Sequence, residues 1–390
     1  MSKMKETTHL TLTRYLYIKD EVMYSLLLSL LDKKDINCVL FWTYELYYSG
    51  YEEELFHYIR RIYFDFYALL HPKFYTFIDK QILSWYNTKD DIIVGHIMKN
   101  LFILRYSYTV FSLRQFVLLG SKCSKTFKGR KPKWLLSYKE IYHPLLRCIQ
   151  TKSYTNIYYY ILQLQGNDLK YCLHDIGKYF NKEEGKHVPS EFYEEFDTSY
   201  ENMTYSDVAH VWFTTILHLM EYETVDKKNK KMLHIKMTKK EIDLFMKTEN
   251  DACSPRYKTL EFKRLYAIHD MVPYFKTKRE SFPVTNDDYN FIDEIQHHWL
   301  YYASNCPIYA EIMNTYEGII MNDEKRCIEF KDDDDFEDFY ENYGYFEPDE
   351  QSTETIQKVF QYNSKNIDIN SFINDSILTI SFDLSSRFIY

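Results

Sequence analysis

The stretch Leu30–Phe56, "LLDKKDINCVLFWTYELYYSGYEEELF", decides the fold of this chain. Two apolar runs flank a charged break at 32–35, and apolar residues recur at spacings of three and four. This period predicts a helix on each side of the break. Gly50 stands where a helix C-cap is expected, and the three glutamates that follow it suit the positive end of another helix. The stretch therefore predicts a helical hairpin followed by a third helix.

The composition of the whole chain favours long helices. Its 390 residues include only 9 Gly and 9 Pro but 39 Tyr. Few glycines and prolines leave few obligatory turns. AT-rich codons explain part of the aromatic excess, so the abundance of aromatics does not by itself indicate base stacking. We expect a mostly α protein of HEAT-like antiparallel helix pairs, with a small β element near the C-terminus where "SILTISFDLSSRFIY" (376–390) alternates and "KRCIEF" (325–330) could pair with it.

The cysteines and the apolar runs predict a cytoplasmic protein. The seven cysteines are scattered without a C-x-x-C pair, which favours a reducing compartment and no disulfide framework. No apolar run reaches 18 residues, and the first residues lack the apolar region of a secretory leader. We therefore expect no membrane partner.

Charge is segregated along the chain. Residues 121–134 carry six lysines and arginines and no acid, whereas residues 329–350 carry eleven acids and one lysine. Such segregation indicates binding partners, since mixed charge would serve solubility as well. The expected organisation is an arm (1–18), a helical unit (19–120), a basic loop (121–135), a second helical unit (136–328), an acidic aromatic segment (329–352) and a C-terminal segment with a strand (353–390).

The acidic aromatic segment has two interpretations. Its density of like charge over 332–346 is typical of a disordered tether. Alternatively, its aromatic side chains are anchors for a basic, apolar groove on a partner: Phe336, Phe339, Tyr340 and Tyr343.

The opening hairpin resembles the first hairpin of the MA3-type HEAT modules in eukaryotic translation-initiation scaffolds of the initiation factor 4 gamma family. The residues that carry the resemblance are Leu31, Asp35-Ile36, Val39-Leu40, Glu45-Leu46, Tyr51 and Glu54-Leu55-Phe56. The chain departs from that pattern at Cys38, where an acid is usual, and at Val39, where a small alanine is usual. The same stretch is also similar to uncharacterised proteins of giant DNA viruses.

The resemblance implies a non-enzymatic scaffold in the cytoplasm of an infected host cell, with no cofactor. Its implied partners are a DEAD-box RNA helicase and RNA, with a cap-binding protein as a further possibility. The acidic residues expected to contact the helicase are Asp35, Glu45, Glu52, Glu53 and Glu54. A cap-binding protein would dock a helix with a tyrosine and an apolar pair on one face, which Tyr17, Val22 and Met23 approximate, as does the segment 266–272.

The basic loop is the candidate RNA-binding segment. Its cations could neutralise several phosphates, and Phe127 and Trp134 could stack on bases. The cations are Lys122, Lys125, Lys128, Arg130, Lys131 and Lys133. The lysine-rich stretch 227–247 could extend the same surface.

Two alternatives come from other function classes. One is a virion structural protein, either a minor capsid or an internal component, in which charged tails and aromatic helices make lattice contacts. The other is a metal phosphohydrolase of the HD type, because "HDIGK" at 174–178 resembles the motif in which a histidine and an aspartate bind a divalent metal. Its ligands would be His143, His174 and Asp175, with Asp207, Asp226 or Asp243 as the last. Motifs for ATP, dinucleotide and esterase sites do not occur.

Overall fold

A computed structural model describes residues 11–14, 17, 19–33, 35–118, 127, 130–186, 205–226, 234–243, 245 and 298–343. Its longer helices are α1 (Lys19–Asp32), α2 (Ile36–Tyr47), α3 (Glu52–Ile62), α4 (Phe74–Thr88), α5 (Ile92–Ile103), α6 (Thr109–Leu118), α7 (His143–Gln150), α8 (Tyr154–Ile161), α9 (Gly166–Lys170), α10 (Cys172–Glu183) and α11 (Tyr205–Asp226). Further along the chain come α12 (Lys239–Ile242), α13 (Pro307–Met313), strands β1 (Ile320–Asn322) and β2 (Cys327–Glu329), and α14 (Asp333–Asn342). Residues 298–303 are also helical.

The predicted fold class is confirmed: the residues that the structure describes are mostly helical, with one small antiparallel sheet near the C-terminus. Neighbouring helices joined by short links pack on each other, as in α1 with α2, α4 with α5 and α7 with α8. Short links between packed helices are typical of antiparallel pairs. The described helices are too short or too polar for any of them to cross a bilayer.

The opening stretch forms α1, α2 and the start of α3. The Asp35 carboxylate accepts a hydrogen bond from the Asn37 amide at 2.9 Å, which caps the N-terminus of α2. All residues of α2 from Cys38 to Tyr47 are buried, because α1, α3 and α5 pack around it. Gly50 has a φ of +87°, so the link to α3 uses the left-handed conformation that glycine favours. The aromatics of α2 are therefore mostly core residues.

One hydrophobic core joins both of the helical units expected from the sequence. A π-helical turn at Tyr63–Tyr67 follows α3 and packs against α6 and α11. The Thr214 hydroxyl donates to the Phe64 carbonyl, and His218 Nδ1 lies 2.9 Å from the Leu69 carbonyl oxygen. Helix α8 contacts both α6 and α11. The boundary proposed at 121–135 is thus bridged by packed helices, and the division into separately folding units stays a prediction.

The C-terminal part differs from the expectation in two ways. Strand β2 contains the expected "KRCIEF" residues, but its partner is β1, with Met321 opposite Ile328. The expected partner strand at 376–390 lies outside the described residues. Residues 333–342 are not a tether but helix α14, which the Asp332 carboxylate caps by accepting from the Asp335 amide. Burial of Phe339 explains the difference, because it anchors the acidic helix to the core.

Candidate functional site

A basic surface forms where residues 130–138 pack against α10. The 3₁₀ turn Lys133–Ser137 places the Trp134 ring 5.3 Å from the Tyr179 ring, measured between centroids. Tyr138 packs on the same ring at 6.3 Å. These ring contacts fix the described end of the basic loop beside α10.

Helix α10 exposes a stripe that continues this basic character. His174, Lys178 and Lys182 are exposed and separated by four residues each, so they lie on one face of the helix. Tyr171 precedes them by one turn, and its side chain is 49% exposed. The opposite face of α10, including Ile176 and Tyr179, is buried. The stripe therefore combines cations with an accessible aromatic ring.

We call this combined region the basic surface. It consists of Arg130, Lys131, Lys133, Tyr171, His174, Lys178 and Lys182.

Few of the charges on the basic surface are neutralised within the described residues. Lys131 pairs with Glu140 at 2.5 Å and Lys178 with Asp175 at 3.2 Å. Exposed pairs of this kind contribute about 0–1 kcal/mol and exchange readily with other partners. Arg130, Lys133 and Lys182 form no ion pair with any residue that the structure describes.

The aromatics predicted to stack on bases have other contacts. The Phe127 ring lies 4.2 Å from the Arg147 guanidinium carbon, and Trp134 packs on Tyr179. Both rings are half-buried against the core. Tyr171 is the exposed ring instead. Three of the predicted cations lie outside the described residues: Lys122, Lys125 and Lys128.

The predicted helicase-binding acids separate into structural and accessible groups. The Glu45 side chain is completely buried and pairs with Arg14 Nε at 3.0 Å, so it offers no carboxylate to a partner. Asp35 is exposed but caps α2, and Glu54 pairs with Lys19 at 2.8 Å. Glu53 is exposed and Glu52 partly exposed in the first turn of α3.

The buried Glu45 holds the N-terminal arm in place through its ion pair with Arg14. Arg14, which it holds, also donates to the Phe245 carbonyl at 2.8 Å. The Arg14 carbonyl in turn accepts from the Tyr309 hydroxyl at 3.0 Å. Arg14 therefore connects the N-terminal arm to three distant parts of the chain, at Glu45, Phe245 and Tyr309.

The candidate cap-binding segment is part of the core. Tyr17 is buried and its ring lies 5.2 Å from the Trp42 ring in an edge-to-face arrangement. Val22 is fully buried in α1, and Met23 is half-buried. A docked helix needs its tyrosine and apolar pair at the surface, so this segment does not present the motif. The other near match, at 266–272, lies outside the described residues.

The candidate metal ligands do not converge. His143 is buried, and its Nε2 lies 3.0 Å from the Tyr138 carbonyl oxygen. His174 is exposed on α10, while Asp175 pairs with Lys178. Helix α10 begins at Cys172 and continues through Gly177 to Glu183, so "HDIGK" starts in its first turn and the helix does not end at Gly177. Among the described residues no group of three histidine, cysteine, aspartate or glutamate side chains could hold a metal ion.

A buried ionic cluster lies at the π-helical turn. Asp65 accepts from Arg114 Nε at 2.8 Å and from its terminal nitrogen at 2.6 Å, and His210 Nε2 lies 2.9 Å from an Asp65 oxygen. Burial opposes the charge on Asp65, but Arg114 and His210 outweigh it and hold the pKa of the carboxyl well below its usual range. Burial lowers the pKa of His210 despite the adjacent carboxylate. The cluster therefore holds the Asp65 carboxylate between the Arg114 guanidinium and the His210 imidazole.

Comparison with known proteins gave no relative. No protein-family model, curated protein or solved structure matches this chain.

The residues that sequence reasoning missed on the basic surface had a visible signal. His174, Lys178 and Lys182 recur every four residues, a spacing that places their side chains on one helical face. His174 and Lys178 also belong to the "HDIGK" motif, which indicated a metal site instead of a cationic helix face.

Proposed function

We propose that this protein is a non-enzymatic helical scaffold that holds single-stranded RNA on its basic surface and brings it to a DEAD-box RNA helicase. The observation that carries the proposal is the basic surface itself: exposed cations and an exposed aromatic ring on α10, and further exposed cations at 130–133, which the Tyr179 ring contacts hold against the same helix. Cationic grooves with stacking rings are the usual means of binding single strands without sequence preference.

The mechanism of such a scaffold is positional. Lysines and arginines neutralise phosphates and release counterions, while Tyr171 offers a face on which a base can stack. The surrounding helices are packed into one core, so the cations keep their relative positions before RNA arrives. Pre-organisation of this kind reduces the entropy lost on binding.

We assign the helicase-binding site to the first turn of α3. Of the predicted acids, Glu52 and Glu53 are accessible, do not cap a helix with their side chains and form no described ion pair, and they lie on an element separate from the basic surface. Acids there also suit the helix dipole, so they are compatible with the fold in the absence of a partner. A cap-binding partner finds no support in the described part of the chain, since Tyr17 and Val22 are buried.

A crossed binding experiment tests the proposal. The chain is immobilised, and retention of a labelled oligouridylate and of a DEAD-box helicase from the producing cell is measured. Lys178→Glu/Lys182→Glu should lose RNA by at least about tenfold in affinity, because two phosphate contacts become repulsive, and should retain the helicase. Glu52→Lys/Glu53→Lys should do the reverse.

Each variant is the control for the other, and thermal melting checks that both fold. Unchanged RNA retention by the lysine variant would contradict the RNA assignment. Unchanged helicase retention by the glutamate variant would contradict the assignment of α3.

A further inference from the structure

Residues 234–238 lie along α5 without forming a helix or strand, although about 135 residues separate them from it in sequence. Three side chains of α5 contact the main chain of this segment. The Asn100 amide nitrogen donates to the Ile235 carbonyl at 2.8 Å, and its oxygen accepts from the Ile235 amide at 2.9 Å. His96 Nε2 lies 3.2 Å from the Met237 carbonyl oxygen, and Lys99 Nζ donates to the Lys236 carbonyl at 3.2 Å.

The contacts run in opposite directions along the two segments. His96 meets Met237, and Asn100 meets Ile235. Four residues of helix rise about 6 Å, and two residues of extended chain span about 7 Å. The spacing therefore suits an extended chain laid antiparallel to α5, and Thr238 at its end has β-type φ and ψ angles of −114° and 155°.

Two side chains of the segment occupy fixed positions. Met237 is 4% exposed and lies over Gly95, where a Cβ would come within 2.5 Å of the Tyr44 hydroxyl and 2.9 Å of the methionine Cγ. Glycine at this position therefore makes room for the methionine. The His234 side chain is exposed, but its ring packs over Phe77 with 4.5 Å between centroids and lies 6.2 Å from the Phe74 ring. Between these anchors Ile235 and Lys236 are exposed.

In this arrangement, the contacts that do not depend on the sequence of the bound segment differ from those that do. The hydrogen bonds from α5 to residues 234–238 go to main-chain atoms, which every extended peptide offers alike, and Lys99 also pairs with Glu241 beyond the segment at 2.6 Å. Only the ring at 234 and the long, unbranched side chain at 237 depend on residue identity. Extended peptides are commonly recognised in this way, with main-chain bonds supplying affinity and alternate side-chain positions supplying specificity.

We propose that the face formed by Phe74, Phe77, Gly95, His96 and Asn100 is a peptide-binding site for another protein. The occupant is an extended segment with a planar ring and, three residues later, a methionine or similar unbranched apolar side chain. Residues 234–238 are the intramolecular occupant, and a partner must displace them. The site does not rest on the RNA or helicase assignments, because it shares no residue with either surface.

The intramolecular segment reduces the apparent affinity for a partner. A site that is free for only a small fraction of the time binds with an affinity lowered by that fraction. Weakening the intramolecular contacts should therefore strengthen binding of a peptide in trans. This direction of effect distinguishes a competed site from a structural clip.

The test uses the full chain and a fluorescent peptide with the sequence of residues 232–240, "MLHIKMTKK". Ile235→Pro in the chain removes the amide that donates to Asn100, at a side chain that is 37% exposed and so contributes little to the core. Fluorescence anisotropy should show the peptide binding to this variant at least about tenfold more tightly than to the wild-type chain.

Two controls define specificity. Adding Asn100→Ala to the Ile235→Pro chain should abolish peptide binding, and a peptide with aspartate in place of its second methionine should not bind. RNA affinity should stay unchanged in all variants, which separates failure here from failure of the proposed function.

Absence of peptide binding to a folded Ile235→Pro chain would overturn the proposal and leave a structural clip only. If that chain does not fold, Met237→Ala, which empties the position over Gly95 and keeps every main-chain bond, replaces it with the same expected gain and the same contradicting result.

Discussion

At the level of single residues, buried ion pairs connect distant parts of the core, and the sequence pattern does not reveal them. Asp65 and Arg114 are 49 residues apart, and neither stands in a recognisable motif. Glu45 had been assigned to a binding face because it belongs to the resemblance pattern, yet its carboxylate is held by Arg14 inside the core. Side-chain burial of a charged residue depends on which distant partner reaches it, and a single sequence does not encode that partner locally.

The Asp65 cluster yields a stability prediction. Asp65→Asn leaves Arg114 buried without its bidentate carboxylate, and removing one partner of a buried ion pair costs roughly 3–5 kcal/mol. Urea unfolding should show a loss of this size. Asp168→Asn, which removes only an exposed partner of Lys139 at 3.5 Å, is the matched control and should cost less than about 1 kcal/mol. Equal losses in the two variants would mean that the cluster contributes nothing beyond a surface pair.

At the scale of the element, local signals predicted the α1–α2–α3 hairpin well. The expected C-cap glycine, Gly50, lies two residues beyond the actual C-cap Tyr48 in the turn before α3, and the Asp35 cap of α2 was not predicted. The density of acids in α14 favoured a disordered tether over a helix. The helical signal is nevertheless present, since Phe336, Phe339 and Tyr343 recur as one helical stripe. The π-helical turn at 63–67 and the contact of 234–238 with α5 had no local signal, since both depend on tertiary packing.

Gly50 links the hairpin to α13 and gives a prediction for that contact. A Cβ at Gly50 would lie 2.6 Å from the Pro307 Cβ, and its φ of +87° is strained for other residues. Gly50→Ala should therefore destabilise the protein by both strain and overpacking, each about 1–2 kcal/mol.

Gly185→Ala is the control for backbone strain alone. Its φ is +65°, and a Cβ there would meet nothing within 4 Å. Thermal unfolding should give a clearly lower midpoint for the Gly50 variant than for the Gly185 variant. Equal midpoints would show that Pro307 moves aside for the added Cβ without lowering the stability of the protein.

At the scale of the whole molecule, the sequence predicted a mostly helical chain but not how its surfaces are assembled. The fold class followed from periodicity and scarce glycine and proline. The basic surface joins residues 130–133 to α10 through Trp134 and Tyr179, a contact between elements about 40 residues apart that no single motif announces. The net charge of −9 does not reveal this surface, because it is a sum over the whole chain and the cations are concentrated locally.

The most direct test of the central claim is the salt dependence of RNA binding, measured by anisotropy with a labelled oligouridylate. If the basic surface contacts phosphates, the logarithm of the association constant should fall linearly with the logarithm of salt concentration. In Lys133→Gln/Lys182→Gln the magnitude of that slope should drop by about 1.4, since each lost phosphate contact on single strands accounts for about 0.7. Lys73→Gln/Lys80→Gln, on exposed residues at the start of and within α4, should leave the slope unchanged. An unchanged slope in the first variant, or no RNA binding at low salt, would contradict the account.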